Sequence, residues 1–243
     1  MDGYKRLFVD RKFRVPRLWS NRELRRFAHL FTGDVVNVSG WRDSDKEGGL
    51  YKDYFKNAKS YTITNYKSEA KGYQGFDNEI FLDLEKPLPK ELIRKFDVVY
   101  NHTTLEHIYD FKKAFENICL MSRDIVIIVV PFLQQMHADY GDYWRFTPLA
   151  MKRMFEDNGM KVLYSSFNED KLCSVYLFFI ATRKNIKKWD KIIRNEFEYK
   201  AKNKFAFDHF KNYVGCRSIK NSYLFHLVTF VKYKLRVIRK WFQ

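Results

Sequence analysis

Residues 96–107, FDVVYNHTTLEH, and residues 124–148, DIVIIVVPFLQQMHADYGDYWRFTP, decide how this chain folds. In each, a run of aliphatic residues stops and gives way at once to ionisable and aromatic groups. A strand with so few polar positions needs cover on both faces, as in the interior of an α/β sheet. The polar run behind each strand then falls on the sheet's rim. In open α/β sheets, ligands bind on that rim, outside the carboxyl ends of the strands.

The flanking sequence extends the pattern. Residues 34–39 (DVVNVS), 61–65 (YTITN) and 79–83 (EIFLD) read as three earlier strands. Residues 110–121 have helical spacing between the fourth and fifth strands, and a second helix over 148–158 opens with Pro148 and ends at Gly159. Residues 161–167 and 173–182 read as two strands joined by the polar turn NEDK. At the other end, Ser20-Asn-Arg-Glu23 has the form of a capping box opening a helix through Leu24, Phe27, Ala28, Leu30 and Phe31, with Thr32-Gly33 as its stop. Strands alternating with helices and closed by a hairpin define an α/β fold, a doubly wound, mostly parallel seven-stranded sheet with an antiparallel edge. The expected organisation is an N-terminal arm and helix over 1–33, the sheet domain over 34–182, and a basic helical extension over 183–243.

Composition narrows the classes. Apolar residues make up 46% of the 243 and charged residues 30%, which excludes a disordered chain and an integral membrane protein. The longest uncharged apolar run, residues 125–133, is strand-sized, far short of the ~20 residues of a membrane span. The basic N-terminus lacks an apolar core, so no secretory leader is expected. Three cysteines, Cys119, Cys173 and Cys216, with no CxxC pair, fit free thiols in a reducing cytoplasm. They exclude a disulfide scaffold and a cysteine zinc site, and no metal centre is expected. The net charge of +16 is unevenly spread: residues 183–243 hold 17 Lys/Arg against 4 Asp/Glu, whereas residues 1–182 hold 28 against 25. Such asymmetry points to an anionic partner for the tail, nucleic acid or a membrane surface, beside the alternative of a merely solvated segment.

Five segments converge on the expected rim: the loop after Ser39, Asn65, Asp83, and the runs after Tyr100 and after Val130. The fourth-strand run packs His102, Glu106 and His107 into a few residues. The fifth carries His137, Asp139, Asp142 and Arg145 among aromatics. Histidine titrates near neutral pH and serves as base or ligand, although each of these could equally be a hydrogen-bonded structural histidine.

With LDLEKPLP, FDVVYNHTTLEHI and VVPFLQQMHADYGDYWRFTP in this order, residues 20–182 resemble class I S-adenosylmethionine-dependent methyltransferases. More narrowly, they are similar to the methyltransferase type 11 relatives associated with bacterial surface-glycan genes. The resemblance implies S-adenosylmethionine as cofactor and O-methylation of a sugar, sugar phosphate or other polysaccharide precursor as the chemistry. It assigns cofactor contacts to Asn37, Ser39, Gly40, Asn65, Asp83, Asn101, His102 and Thr103. His137 is the first choice for the base, with His107 and Glu106 behind it. Asp142, Tyr143, Trp144 and Arg145 suit an acceptor, aromatic faces covering a sugar ring and Arg binding phosphate bidentately. The sequence departs from the family at two points: Asn37-Val-Ser-Gly-Trp41 keeps only Gly40 of the usual glycine-rich turn, and Asn65 stands where an acid usually meets the ribose. A binding or scaffold module that has lost catalysis, and an RNA methyltransferase, are the alternatives.

In the tail, Leu224, Val228, Val231, Leu235, Ile238 and Phe242 recur by fours and threes, one stripe on a helix, with Lys232, Lys234, Arg236, Arg239 and Lys240 largely off it. A basic amphipathic helix of this kind suits the inner face of an anionic membrane, which would make a cytoplasmic protein peripheral. The same spacing suits self-packing or a homodimer. Trp189, Ile192, Ile193 and Phe197 give the preceding segment helical spacing as well.

Overall fold

The computed structural model describes residues 9–67, 72–137, 141–168, 170, 172–184, 187–189, 191–193 and 223–241. Asp139, Phe197 and Phe242 lie outside them. Seven strands form one sheet: β1 (Gly33–Val38), β2 (Ala58–Asn65), β3 (Glu79–Phe81), β4 (Phe96–His102), β5 (Ser122–Leu133), β6 (Lys161–Phe167) and β7 (Val175–Thr182). Their order is β3-β2-β1-β4-β5-β7-β6. Strands β1 to β5 pair in parallel, β7 runs antiparallel between β5 and β6, and β6 therefore points the same way as the first five. The order reverses between β1 and β4, which opens a crevice at their carboxyl ends.

Helices α1 (Arg14–Phe27), α2 (Phe111–Met121) and α3 (Pro148–Asp157) cover the two faces. Alternation along the strands divides the core. Val36, Val99, Val126, Ile128 and Val130 meet Ala114, Phe115 and Ile118 of α2 and Met151 and Phe155 of α3. Val35, Val98, Tyr100, Ile125, Ile127 and Val129 face Trp19, Leu24 and Phe27 of α1. Trp189 and Ile193 close over this second face, and the Trp189 indole N–H donates to Asp124 at 3.0 Å. The first residues after β7 thus pack as part of the sheet domain's core.

Local chemistry sets the helix ends. Asp110 caps α2 by accepting from the Lys113 amide at 3.1 Å, and Thr147 caps α3 by accepting from Ala150 at 3.1 Å, ahead of Pro148. The chain leaves α3 through Gly159 at φ +66°, a conformation open to glycine without steric cost. The first helix corrects the capping-box reading. It starts at Arg14, with Pro16 in its first turn, so Ser20 and Glu23 lie mid-helix. Both point into the protein. Glu23 accepts from Tyr164 Oη at 2.5 Å, Ser166 Oγ at 2.9 Å and Arg26 at 2.8 Å. Helix α4 (Tyr223–Trp241) leaves Leu224, Leu227, Phe230, Val231, Tyr233, Leu235 and Ile238 exposed. No described helix is long and apolar enough to cross a membrane.

Candidate active site at the carboxyl ends of β1, β4 and β5

The turn after β1 is wired by side chains. Ser39, Trp41 and Asp43 all take positive φ (56°, 48° and 58°), a conformation that costs a non-glycine residue about 1–2 kcal/mol. Asp43 offsets this by accepting from Asn37 Nδ2 at 2.7 Å, Tyr61 Oη at 2.6 Å and the Lys52 amide at 2.8 Å. Burial pushes the Asp43 carboxyl up, and these donors pull against it without cancelling the rise. Gly40 is the one glycine the turn requires, because a Cβ there would lie 2.7 Å from Asn37 Nδ2. Further on, Asp45 gathers the amides of Glu47 and Gly49 and the hydroxyl of Tyr54.

Asn65, at the end of β2, is spent on the same turn. Its Oδ1 accepts from Trp41 N at 2.7 Å, while its amide donates to Trp41 O at 3.0 Å and to the Glu79 carboxylate. Burial pushes Glu79 up, but the Asn65 donor and the amides of Phe76 and Gln74 outweigh it, leaving the carboxyl below its ordinary range. Asp83 is different. Beyond β3, its only side-chain hydrogen bond among the described residues is from the Glu85 amide at 2.9 Å, so it can meet a ligand.

At the end of β4, Asn101 is fully buried. It donates to Val38 O at 2.9 Å across the β1–β4 boundary, while its Oδ1 has no partner. His102 follows. Ser20 donates to Arg17 O at 2.9 Å, so His102 Nε2–H must donate to Ser20 Oγ at 2.8 Å. Nδ1 then accepts from the Arg17 guanidinium at 3.0 Å, a tautomer assigned from this network. Burial, and next the Arg17 charge, hold His102 well below its ordinary pKa, so it is neutral. Arg17 also donates to Thr103 Oγ1 and Tyr51 Oη, both at 3.2 Å, and no described carboxylate comes within ion-pair distance of it. Thr103 turns the chain at φ 49°.

A 3-10 turn, Leu105–His107, then brings Glu106 and His107 towards the loop after β5. Glu106 is 1% exposed, its Oε1 lies 3.7 Å from His107 Nε2, and its Oε2 has no hydrogen-bond partner. Burial pushes its carboxyl up to about 8. His107 Nδ1 lies 2.6 Å from Gly141 O. Burial lowers the pKa of this imidazole, the Gly141 bond opposing it. The His137 ring meets that of His107 edge-on at 4.9 Å between centroids and the Phe13 ring at 5.3 Å. Its backbone amide donates to Asp142 at 2.8 Å.

The four residues expected to meet an acceptor divide. Asp142 and Arg145 form a bidentate pair at 2.6 and 2.7 Å, and Arg145 also donates to Gln134 O and Gln135 O, so both hold the loop. Trp144 donates to Tyr109 O at 3.1 Å and packs on Phe111. Tyr143 alone stays open, 52% exposed and edge-on to an exposed Tyr109. The structure therefore brings together Asn101, His102, Thr103, Glu106, His107 and His137. Asn37, Gly40 and Asn65 go to the β1 turn. Arg17, Ser20 and Phe13 join the site from α1 and the residue before it. Their only sequence signal is a basic helix preceding the first strand.

This strand order, with one reversed strand and a ligand crevice at the β1–β4 boundary, is the fold of class I S-adenosylmethionine-dependent methyltransferases. A protein of Bacillus halodurans C-125 assigned to the methyltransferases matches with a TM-score of 0.52 at 10% identity, over 69% of this chain and 100% of its own. Magnesium protoporphyrin IX methyltransferase of Synechocystis PCC 6803, with S-adenosylmethionine bound, matches with a TM-score of 0.50 at 12% identity, over 74% of this chain and 89% of its own. At these identities the likeness is one of fold. No protein-family model and no curated protein matches the sequence.

Proposed function

We propose that the protein is an S-adenosylmethionine-dependent methyltransferase that methylates a hydroxyl of a carbohydrate or sugar-phosphate acceptor. The observation that carries this reading is the orphaned Asn101 Oδ1 at the β1–β4 crevice, with Arg17, which no described carboxylate pairs, and three ionisable groups close by. The residues fit the cofactor: Arg17 suits the carboxylate of its methionine, Asn101 Oδ1 an amine donor, and Asp83 the adenine amino group or ribose hydroxyls. Once bound, the cofactor offers a sulfonium methyl group to an in-line nucleophile, the sulfur keeping the electron pair of the broken bond. The chain's own work is to align the acceptor oxygen and take its proton, the role given to the cluster of Glu106, His107 and His137. Exposed Tyr143 and Tyr109 at the mouth suit a sugar face. The surface-glycan subtype rests on the DYWRFTP likeness. The basic, apolar-striped α4 supports attachment to an anionic membrane surface.

Calorimetric titration with S-adenosylhomocysteine tests the reading. Micromolar binding that weakens in Asp83→Ala is expected. No binding by folded protein would favour a scaffold module instead, a reading supported by the Trp41 turn and the committed Asn65.

A further inference from the structure

We propose that Glu106, His107 and His137 form a binding site for one divalent first-row transition-metal ion. One ligand atom from each of the three lies within 4.8 Å of the others. Tetrahedral coordination at ordinary bond lengths needs about 3.3 Å between ligand atoms, a closure within reach of side-chain rotation.

Each residue is set up for this. Glu106 is 1% exposed, its Oε1 lies 3.7 Å from His107 Nε2 and its Oε2 has no hydrogen-bond partner, a carboxylate buried at a cost that a bound cation would offset. Among the described residues no Arg or Lys forms an ion pair with it, and the charges of Arg145 and Arg17 reach it only at longer range. The nearby Arg145 has both guanidinium nitrogens on Asp142. His107 Nδ1 lies 2.6 Å from Gly141 O, to which it donates, so that Nε2 carries the lone pair, 3.7 Å from Glu106. The Asp142 carboxylate, held by Arg145, accepts from the His137 backbone amide and lies 3.3 Å from His137 Nδ1, which itself has no hydrogen-bond partner among the described residues. The backbone carbonyl behind His107 is the kind of partner that orients a metal-ligating histidine and fixes its tautomer, and the Asp142 carboxylate sets a negative charge beside His137.

Two imidazoles and one carboxylate select zinc, cobalt, iron or manganese over calcium and magnesium, and they leave at least one coordination position open. The three residues lie on the same rim as the orphaned Asn101 oxygen. An acceptor hydroxyl at the open position would lose its proton more readily. This role in turnover rests on the methyl-transfer reading, whereas the binding itself does not.

The test uses full-length protein stripped with a chelator and then titrated with Co2+, followed by its visible d–d absorption and by calorimetry. One equivalent is expected per chain. His107→Ala and His137→Ala should each weaken binding by at least about 100-fold, and Asp142→Asn by about 10-fold. His137 is partly exposed, so its variant keeps the fold and remains informative should His107→Ala not. No cobalt bound by the folded wild type, or equal affinity in both histidine variants, would overturn the proposal. Titrating the same samples with S-adenosylhomocysteine separates the two readings. Cobalt binding without product binding upholds the site and removes its catalytic role. Product binding without cobalt binding overturns the site and leaves methyl transfer standing.

Discussion

Asn65→Asp separates a structural role for this residue from a ligand role. An acid here is what a ribose contact would favour, so a ligand role predicts tighter cofactor binding. The structure predicts damage instead. The substitution removes both amide donors, to Trp41 O and to Glu79, in a residue only 2% exposed. A buried acceptor left unmatched costs about 1–3 kcal/mol. Two buried carboxylates then face each other, and one must stay protonated. At 1.36 kcal/mol per pH unit above an ordinary carboxyl value, that adds up to about 4 kcal/mol at pH 7, less whatever a shared proton returns. A net loss of about 3–5 kcal/mol is expected at pH 7.5. With a urea slope of about 2 kcal/mol/M, the midpoint should fall by about 2 M. The sign of the pH dependence is a second check. Wild-type Glu79 has a depressed pKa, so its contribution is present above the unfolded-state value and fades as the pH falls through the folded one. In the variant the shared pair has a raised pKa, so the deficit shrinks towards pH 5 and grows as the pH rises. A variant as stable as wild type at pH 7.5, with tighter S-adenosylhomocysteine binding, would refute the reasoning.

Three further outcomes are expected. Glu23→Ala strands Tyr164, Ser166 and Arg26, the first two fully buried, and should cost about 3–5 kcal/mol in urea unfolding, with a smaller loss for Glu23→Gln; a loss below about 1 kcal/mol would mean that water replaces the carboxylate. Arg17→Met should weaken S-adenosylhomocysteine binding by about 10- to 100-fold, the worth of one charged hydrogen-bonding partner; unchanged affinity in calorimetry would take Arg17 out of the site. Ser39→Gly should raise stability by about 0.5–1 kcal/mol, since relief of the left-handed conformation exceeds the added chain entropy; a drop in melting temperature would show that the Ser39 side chain supports the turn.

Most of the sheet was legible because its strands carry few polar interior residues. β6 spans Lys161–Phe167, the residues its β-forming pattern marks, and Asp110 and Thr147 mark their helix starts by capping chemistry. The first helix was misread because Ser20 and Glu23 satisfy a local spacing rule while their partners, His102 and Tyr164, lie 82 and 141 residues away. The site divides in the same way. Glu106, His107 and His137 announced themselves by residue type beyond strand ends. Arg17 did not, because its place beside His102 and Thr103 depends on how α1 crosses the sheet. Asn65 looked like a ligand position because strand order alone places it on the rim. Only side-chain geometry shows both ends of its amide taken up by Trp41.

The reversed strand has a consequence for how the chain is made. β7 is the last described strand to leave the ribosome, yet it belongs between β5 and β6, and its register with β5 runs from Ile125↔Thr182 to Leu133↔Val175. Nascent chain that already holds β1 to β5 can zip them into a parallel half-sheet, whose open edge is β5, with its unbroken apolar run from Ile125 to Leu133. β6 emerges earlier than β7 but has no neighbour to pair with. Until residue 182 is free, that bare edge is a template for any other extended chain. Slow translation over residues 134–182, or truncated products ending there, should aggregate in proportion to the time β5 waits uncovered.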